Sequence, residues 1–253
     1  MKDNKRIASL EHTDIVRGIV KAGNYWVSIG DDKTIKFHSL NWEASQSVIA
    51  YNLTHGKKPT SLVFLHNLIV FADKTGEAWK IDLARLSSGR TKELDCIAFA
   101  MGHQSTITYM AKGENSLITA DKDNKIKISE SPQFYEVRSV LLGHNFTVLS
   151  AIEYEGKIYS SDESGCIKKW NGTEEEASIQ TMEAVQLFVA NNRILGASKS
   201  GYFYVNPRNL QSLPIALEPF GIAAVWENYL YQIDSELSIR QIDLRLQGHK
   251  TDN

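Results

Sequence analysis

The chain has 253 residues, a formal net charge of −2, 42% hydrophobic and 23% charged residues, and a mean hydropathy of −0.28. This composition is that of a globular protein and excludes a collagen-like or wholly disordered chain. The near-neutral charge argues against a chain that binds polyanions on its own, because such affinity depends on a net basic surface. Cys96 and Cys166 are too few for a disulfide framework, so we expect a reducing compartment.

A polar turn followed by an alternating strand recurs six times along the chain. In the segment 125–129, Ile126 and Ile128 share one face and Lys125 and Lys127 the other, which is typical of a half-buried strand. Successive copies begin between 36 and 48 residues apart. Their first residues are Asp32, Thr75, Asp123, Ser164, Ser200 and Glu236.

Each unit contains about four short strand-like segments, and no segment has a helical period of useful length. A period near 40 residues with four strands per unit predicts a single all-β propeller over residues 1–253. The polar stretches 84–93 and 174–176 are expected to be solvated loops. Residues 5–11 are a candidate closing strand for the last unit. The predicted repeats are 12–52, 57–101, 103–142, 144–182, 183–218 and 219–244.

Two of the units resemble WD repeats, in which a His, a strand Ser or Thr, a turn Asp and a strand Trp form a hydrogen-bonded set. The resemblance implies a structural role for four residues in particular: His103, Asp123, His144 and Trp170. The third repeat carries Thr119 and has Ser129 in the Trp position. The fourth carries Ser160 and has Ser164 in the Asp position, so neither repeat is expected to hold the full set.

Residues 57–170 are similar to one WD-repeat family, the non-catalytic subunit of the tRNA (guanine-N(7)-)-methyltransferase. The resemblance lies in four segments: Lys57-Lys58-Pro59-Thr60-Ser61-Leu62, Ala72-Asp73-Lys74-Thr75-Gly76-Glu77, Thr119-Ala120-Asp121-Lys122-Asp123-Asn124-Lys125-Ile126-Lys127-Ile128-Ser129 and Leu142-Gly143-His144. The serine where a Trp is usual separates this family from WD repeats at large. The family is usually seven-bladed, whereas six repeats are legible here, and a seventh, degenerate blade stays open.

The resemblance implies a nuclear, non-catalytic subunit that binds and stabilises the catalytic subunit forming N(7)-methylguanosine in the tRNA variable loop. It implies no cofactor, and contact with tRNA through the complex rather than by this chain. The alternative is a generic WD-repeat scaffold for protein assembly, for example in ribosome biogenesis or ubiquitin transfer.

The resemblance also implies that Lys127 pairs with an acidic residue of the catalytic subunit. Other candidate partner-binding residues are Lys125, Lys122, Lys169 and Lys58. The alternative interpretation of these lysines is a solvated face whose charge Asp121 and Asp123 nearly cancel.

No residue set for catalysis by this chain is legible. A glycine-rich loop entering a helix and a Gly-x-Ser-x-Gly motif are both absent from the sequence. The seven histidines have no metal-ligand spacing, and neither cysteine has a neighbouring Cys or His. We therefore expect neither an enzyme nor a metal site.

Overall fold

The computed structural model describes residues 6–9, 11–41, 46–87, 102–130, 136–215, 217, 222–233 and 238–247. Within these ranges, 23 strands form six antiparallel sheets, five with four strands and one with three. The prediction of an all-β propeller is confirmed, and the ring has six blades. The helices of the described ranges are too short and too polar to cross a membrane.

The first strand in the described residues, β1 (Arg6–Ser9), belongs to the last sheet. Blades 1 to 3 follow in chain order, each from its innermost strand outwards. Blade 1 contains β2 (Val16–Ala22), β3 (Tyr25–Gly30), β4 (Thr34–Asn41) and β5 (Gln46–Thr54). Blade 2 contains β6 (Pro59–Leu65), β7 (Leu68–Asp73) and β8 (Ala78–Asp82), followed by the helix α1 (Leu83–Ser87). Blade 3 contains β9 (Ile107–Lys112), β10 (Ser116–Asp121), β11 (Ile126–Glu130) and β12 (Val137–Leu141).

Blades 4 to 6 have the same order of strands. Blade 4 contains β13 (Val148–Tyr154), β14 (Lys157–Asp162), β15 (Cys166–Asn171) and β16 (Glu174–Gln180). Blade 5 contains β17 (Gln186–Ala190), β18 (Arg193–Ser198), β19 (Gly201–Val205) and β20 (Ser212–Ile215). Blade 6 contains β21 (Ile222–Trp226), β22 (Tyr229–Ile233) and β23 (Ser238–Asp243), with β1 outermost, and a 3-10 turn (Leu244–Gln247) follows β23.

The innermost strands close a ring. Each lies beside the innermost strand of the next blade, and β21 of blade 6 lies beside β2 of blade 1. Strand β1 pairs with β23, so segments far apart in the sequence are joined in one blade. A central channel of about 560 Å³ runs between the innermost strands. The exact repeat boundaries drawn from the sequence stay a prediction.

Two-residue turns join the first and second strands of several blades. In three of these turns both residues have positive φ: His66 and Asn67, Glu155 and Gly156, and Asn191 and Asn192. Such turns match the twist of antiparallel strands, and Asn and Gly tolerate the left-handed backbone conformation. These turns lie at the bottom end of the propeller, and the turns between second and third strands lie at the opposite, top end.

Apolar side chains fill the spaces between neighbouring blades. Trp170 of blade 4 is 1% exposed and belongs to the same buried cluster as Ile118 and Ile126 of blade 3. Trp26 of blade 1 meets Tyr231 of blade 6 with ring centroids 4.3 Å apart. Because a sheet buries both faces only between two neighbours, the blades depend on one another for their stability.

Two loop predictions are wrong. Residues 174–176 belong to β16, where they pair with β15 instead of forming a loop. Residues 84–87 lie in α1, which buries Leu86 to 2% exposure, and residues 88–93 lie outside the described residues. Cys96 lies outside them as well.

Candidate partner-docking site

Blade 4 contains a complete hydrogen-bonded set. Nδ1 of His144 lies 2.7 Å from the Asp162 carboxylate, and Nε2 lies 2.7 Å from Oγ of Ser160. The indole N–H of Trp170 donates to the same Oγ at 2.7 Å. A carboxylate only accepts, so Nδ1 carries the proton and Nε2 accepts from the serine. The expectation that the fourth repeat lacks an Asp is therefore wrong, because Asp162 fills the place assigned to Ser164.

Blade 3 has the same arrangement with one member missing. His103 contacts the Asp121 carboxylate at 2.6 Å through Nδ1 and Oγ1 of Thr119 at 2.8 Å through Nε2. The structural role predicted for Asp123 is thus filled by Asp121, while the Asp123 side chain is exposed. Ser129 occupies the Trp position and is completely buried, and among the described residues its Oγ has no hydrogen-bond partner.

The error at Asp123 has a simple origin. The carboxylate that binds the histidine belongs to Asp121, the last residue of the second strand. The repeats were instead matched in the sequence by the residue that opens the third strand, which is Asp123. Burial favours a raised pKa for Asp121, but the hydrogen bonds from His103 and from the backbone amides of Lys125 and Asp123 outweigh it, and the pKa is lowered. Asp123 therefore contributes its backbone amide and not its carboxylate.

Blades 1 and 2 hold related sets that the sequence analysis missed. In blade 1, His12 contacts Asp32 and Ser28, and Nε2 of His38 donates to Oγ of Ser28 at 2.9 Å, as Trp170 does in blade 4. The signal was the constant separation of 16 residues between His and Ser or Thr in blades 1, 3 and 4.

In blade 2, Asp73 is the shared acceptor. Nε2 of His55 lies 3.1 Å from its carboxylate, and Nε1 of Trp79 donates to the same oxygen at 3.1 Å. The separation of 18 residues between the histidine and the Asp equals that in blades 3 and 4. Within the described residues, a His–Asp contact is therefore present at the top of blades 1 to 4.

Lys127 lies on the exposed side of blade 3, near the top. Its Nζ donates to the carbonyl oxygen of Gly102 at 2.6 Å, which fixes the position of the ammonium group. Partial burial lowers the pKa of Lys127, against a smaller opposing effect of Asp121. An ammonium group that is partly desolvated and held in place loses little entropy when it binds a carboxylate.

Exposed apolar side chains lie on the outer strand of blade 3 and in the segment that follows it. Lys127 is directly opposite Val140 in the register of β11 and β12, so the two side chains share a face. Val140, Leu142 and Phe146 are 37%, 64% and 53% exposed. A fixed cation beside exposed apolar groups is the composition of a protein interface rather than of a solvated surface. We call Lys127, Val140, Leu142 and Phe146 the blade 3 edge.

The other candidate lysines differ in their surroundings. Lys122 is exposed on the turn after β10, and Lys125 is half-buried with its amide bonded to Asp121. Nζ of Lys169 lies 2.6 Å from Glu176, and Nζ of Lys58 lies 3.1 Å from Asp31. The charges of Lys169 and Lys58 are therefore already balanced within the chain.

The fold brings Cys166 close to two residues of the hydrogen-bonded set of blade 4, His144 and Asp162. The order of these residues in the sequence did not reveal this. One ligand atom each of His144, Asp162 and Cys166 lies within 4.8 Å of the others. Both ring nitrogens of His144 already have hydrogen-bond partners, and burial raises the pKa of the Cys166 thiol. The arrangement fits a hydrogen-bonded structural set better than a metal centre, since a metal requires the thiolate.

The fold and the hydrogen-bonded set of blade 4 define a WD-repeat β-propeller. A structural comparison gives the same class: the WD40 β-propeller domain of Doa1 superposes with a TM-score of 0.70 at 17% identity, covering 93% of this chain and 85% of that one. The computationally designed Ika8 protein superposes with a TM-score of 0.63 at 17% identity over 96% and 88% of the two chains. No protein-family model matches the sequence.

Sequence comparison confirms the resemblance to one kind of WD-repeat protein. The chain is similar to the tRNA (guanine-N(7)-)-methyltransferase non-catalytic subunit TRM82 of Debaryomyces hansenii, at 24% identity over 78% of this chain and 49% of that protein. It is also similar to the subunit named wdr4 in Dictyostelium discoideum (26% identity, 67% and 41% covered) and WDR4 in Homo sapiens (25%, 59% and 35%). The chain spans between about a third and a half of these curated relatives. Their names agree with the expectation that this WD-repeat protein is not itself an enzyme.

Proposed function

We propose that this propeller binds the catalytic subunit of a tRNA (guanine-N(7)-)-methyltransferase and stabilises it in its active form. The complex then methylates guanine N7 in the tRNA variable loop. The observation that carries the proposal is the similarity to subunits with this name, which extends over 78% of the chain in one relative. A nuclear location belongs to the same proposal, and imaging of the tagged chain in its own cells tests it.

The blade 3 edge is the proposed docking surface. Its fixed ammonium group offers a pairing site for a carboxylate, and its apolar side chains offer area to bury. Removing one partner of a desolvated ion pair costs about 2–5 kcal/mol, whereas a pair at the rim contributes less than about 1 kcal/mol. Lys127 is therefore the residue whose substitution separates a docking surface from a solvated face.

Co-expression with the methyltransferase of the same organism tests both the proposed function and the proposed docking surface. The wild-type chain is expected to co-purify with it, and the pair to methylate a tRNA transcript that neither chain modifies alone. The Lys127→Glu variant is expected to lose co-purification and methylation together. Lys112→Glu is the matched control, because Lys112 is exposed on β9 at the bottom of the same blade.

Failure of the wild-type chain to bind the methyltransferase would remove the proposed function and favour a generic scaffold. Equal co-purification of the two variants would exclude only the blade 3 edge as the docking surface, and the proposed function would stand. Circular dichroism and thermal unfolding of each purified variant distinguish lost docking from lost folding.

A further inference from the structure

Aromatic side chains fill the space between blades 1 and 2 towards the bottom of the propeller. Tyr25, Phe37 and Tyr51 of blade 1 pack there with Phe64 of blade 2 around one buried cluster. The three rings of blade 1 meet edge to face, with centroids between 5.8 and 6.1 Å apart. The chain thus fills this interface with its own rings.

The strand register identifies the equivalent positions between blades 3 and 4. Each position is defined by its place in its own strand and by the residue opposite it in the neighbouring strand. In the order Tyr25, Phe37, Tyr51 and Phe64, the equivalent residues are Ser116, Ile128, Ser139 and Glu153. Two serines, an isoleucine and a carboxylate therefore replace four aromatic rings.

A cavity of about 420 Å³ lies at these positions, between blades 3 and 4. All four equivalent residues line it, and so does Glu114 in the turn after β9. The volume is in the range of about 300–1,000 Å³ that is usual for ligand pockets. We call this cavity the blade 3–4 pocket, and its defining residues are Ser116, Ile128, Ser139, Glu153 and Ile158.

Two carboxylates at the inner end of the pocket have no cation from the chain. Among the residues that the structure describes, no basic group forms an ion pair with Glu114 or Glu153. The Glu153 carboxylate accepts from the backbone amide of Glu114 at 2.9 Å. Arg138, at the outer end, lies 3.6 Å from Glu130, and its side chain is 69% exposed. The inner end is therefore negatively charged.

A buried hydroxyl group lies beside the Glu153 carboxylate. Oγ of Ser116 is buried, and within the described part of the chain it has no hydrogen-bond partner. A Cβ atom at Gly113 would clash with both Oγ of Ser116 and Oε2 of Glu153, so these two oxygens converge beside this glycine. A buried hydroxyl without a partner costs free energy, and a ligand with N–H groups would satisfy both oxygens.

Other blades place a cation at the position of Ser116. The equivalent first residues of the second strand are Lys157 in blade 4 and Arg193 in blade 5. Nζ of Lys157 lies 3.2 Å from Glu176, and the Arg193 guanidinium lies over the Tyr204 ring, 5.0 Å from its centroid. In blade 3 the serine supplies no cation, while the carboxylate of Glu153 faces the vacant space.

We propose that the blade 3–4 pocket binds an arginine side chain from an extended segment of a partner protein. A guanidinium group presents five N–H donors in one plane, enough for the Glu153 carboxylate and the Ser116 hydroxyl together. The apolar wall of Ile128 and Ile158 suits the methylene stem of the arginine.

The pocket is separate from the blade 3 edge. Ile128 lines the pocket and Lys127 belongs to the edge, and neighbouring residues of a strand point to opposite faces of the sheet. The proposal therefore goes beyond the proposed function and does not depend on it.

NMR of the full chain with ¹³C-labelled isoleucine methyl groups tests the proposal, because Ile128 and Ile158 line the pocket. The first probe is a capped pentapeptide with one arginine between two pairs of alanines. The second carries citrulline, a neutral isostere, in place of the arginine, and the third is free arginine. Titration of each probe gives the dissociation constant from the shifts of the two methyl signals.

Three variants accompany the wild type. Glu153→Gln removes the charge but keeps an oxygen that accepts from the Glu114 amide. Glu163→Gln is the matched control, at an exposed acid on the top turn of blade 4. Ser116→Tyr restores the residue type of blade 1 and fills the pocket. Thermal unfolding of each variant verifies that it is folded.

The arginine peptide is expected to shift both methyl signals of the wild type and to bind at least about tenfold more tightly than the citrulline peptide. Glu153→Gln should weaken binding of the arginine peptide at least about tenfold, and Glu163→Gln less than about twofold. Ser116→Tyr should abolish the shifts while the unfolding temperature stays the same or rises. If this variant does not fold, the two glutamine variants decide.

Unchanged Ile128 and Ile158 signals in the presence of the arginine peptide would overturn the proposal. Equal affinities for the arginine and citrulline peptides, or of the wild type and Glu153→Gln, would also overturn it. Tighter binding of free arginine than of the arginine peptide would overturn the assignment to a protein segment. The methyltransferase is absent from these samples, so the result is independent of the proposed function.

Discussion

Blade 3 and blade 4 are neighbouring copies of the same repeat with opposite properties. Blade 4 satisfies its own groups: Trp170 completes the hydrogen-bonded set, and Lys168 and Lys169 pair with Glu175 and Glu176 of the next strand. Blade 3 has Ser129 in the place of the tryptophan, and Val140 of its outer strand lies directly opposite Lys127. The lysine there holds a backbone carbonyl and faces outwards.

The contrast shows how a repeat can be adapted for binding without a change of fold. Lys127 and Lys168 occupy equivalent positions. Each lies opposite the residue whose hydroxyl bonds the histidine of its blade, which is Thr119 for Lys127 and Ser160 for Lys168. The difference lies in the outermost strand: Ser178 is opposite Lys168 and Val140 is opposite Lys127, and the strand of blade 4 also carries Glu175, which pairs with Lys168. In blade 4 the lysine forms an ion pair with Glu175, and in blade 3 it donates to the carbonyl oxygen of Gly102. The predictions below test this comparison, from the largest expected effect to the smallest.

Trp170→Ala should produce the largest loss of stability. The indole is fully buried against blade 3 and donates to Ser160, so its removal leaves a cavity and an incomplete set. We expect the free energy of unfolding to fall by about 3–5 kcal/mol, measured by urea denaturation. Met182→Ala, at a fully exposed side chain, is the control and should change it by less than about 0.5 kcal/mol. A loss below about 1 kcal/mol for Trp170→Ala would contradict the role of blade 4.

Acid should destabilise blade 1 through His38, which donates the hydrogen bond that Trp170 donates in blade 4. Burial lowers the pKa of His38 from 6.5 to about 4, with smaller effects from His12 and Lys36. The unfolded chain therefore takes up a proton at His38 at a pH where the folded chain keeps the imidazole neutral. As a result, the free energy of unfolding falls as the pH drops from about 6.5 to about 4. The contribution is up to about 3 kcal/mol.

Denaturation curves of the wild type at pH 7 and pH 4.5 measure this loss. His38→Asn should make the two curves more alike, because the variant has nothing to titrate at this site. His66→Asn, at an exposed turn, should retain the wild-type difference. An unchanged difference in His38→Asn would show that acid acts elsewhere.

Asp121→Asn and Asp123→Asn should separate the two carboxylates of the blade 3 turn. Asp121 is buried and bonded to His103, so its neutralisation should cost about 1.5–3 kcal/mol of the free energy of unfolding. The exposed Asp123 side chain should contribute within about 0.5 kcal/mol. Comparable losses for the two variants, measured by thermal and urea unfolding, would contradict the assignment of Asp121.

Ser129→Ala should have the smallest effect, and it should stabilise. In the described part of the chain the buried Oγ of Ser129 has no hydrogen-bond partner, so removing it abolishes a desolvation cost and gains up to about 1 kcal/mol. Ser160→Ala in blade 4 is the opposite case, because that hydroxyl has bonds to His144 and Trp170, and it should destabilise. A loss of stability in both variants would mean that Ser129 has a role like that of Ser160.

The sequence predicted the propeller because the alternating strands repeat at a nearly constant interval, a local property of the chain. It did not predict which acid of the turn meets His103, because Asp121 and Asp123 are both compatible with a polar turn. Only the strand register decides between them. The pairing of Lys169 with Glu176 was missed because residues 174–176 were assigned to a loop. The hydrogen-bonded set of blade 1 was missed because a histidine replaces the Trp as the N–H donor.

The dissociation constant of the heterodimer, measured for equivalent lysines of the two blades, tests the central claim most directly. Lys127→Glu and Lys168→Glu make the same change of charge at the same strand position. We expect Lys127→Glu to weaken binding of the catalytic subunit by at least about thirtyfold, as for the loss of a desolvated ion pair, and Lys168→Glu by less than about threefold. Equal effects of the two variants, or a larger effect of Lys168→Glu, would contradict the assignment of docking to blade 3.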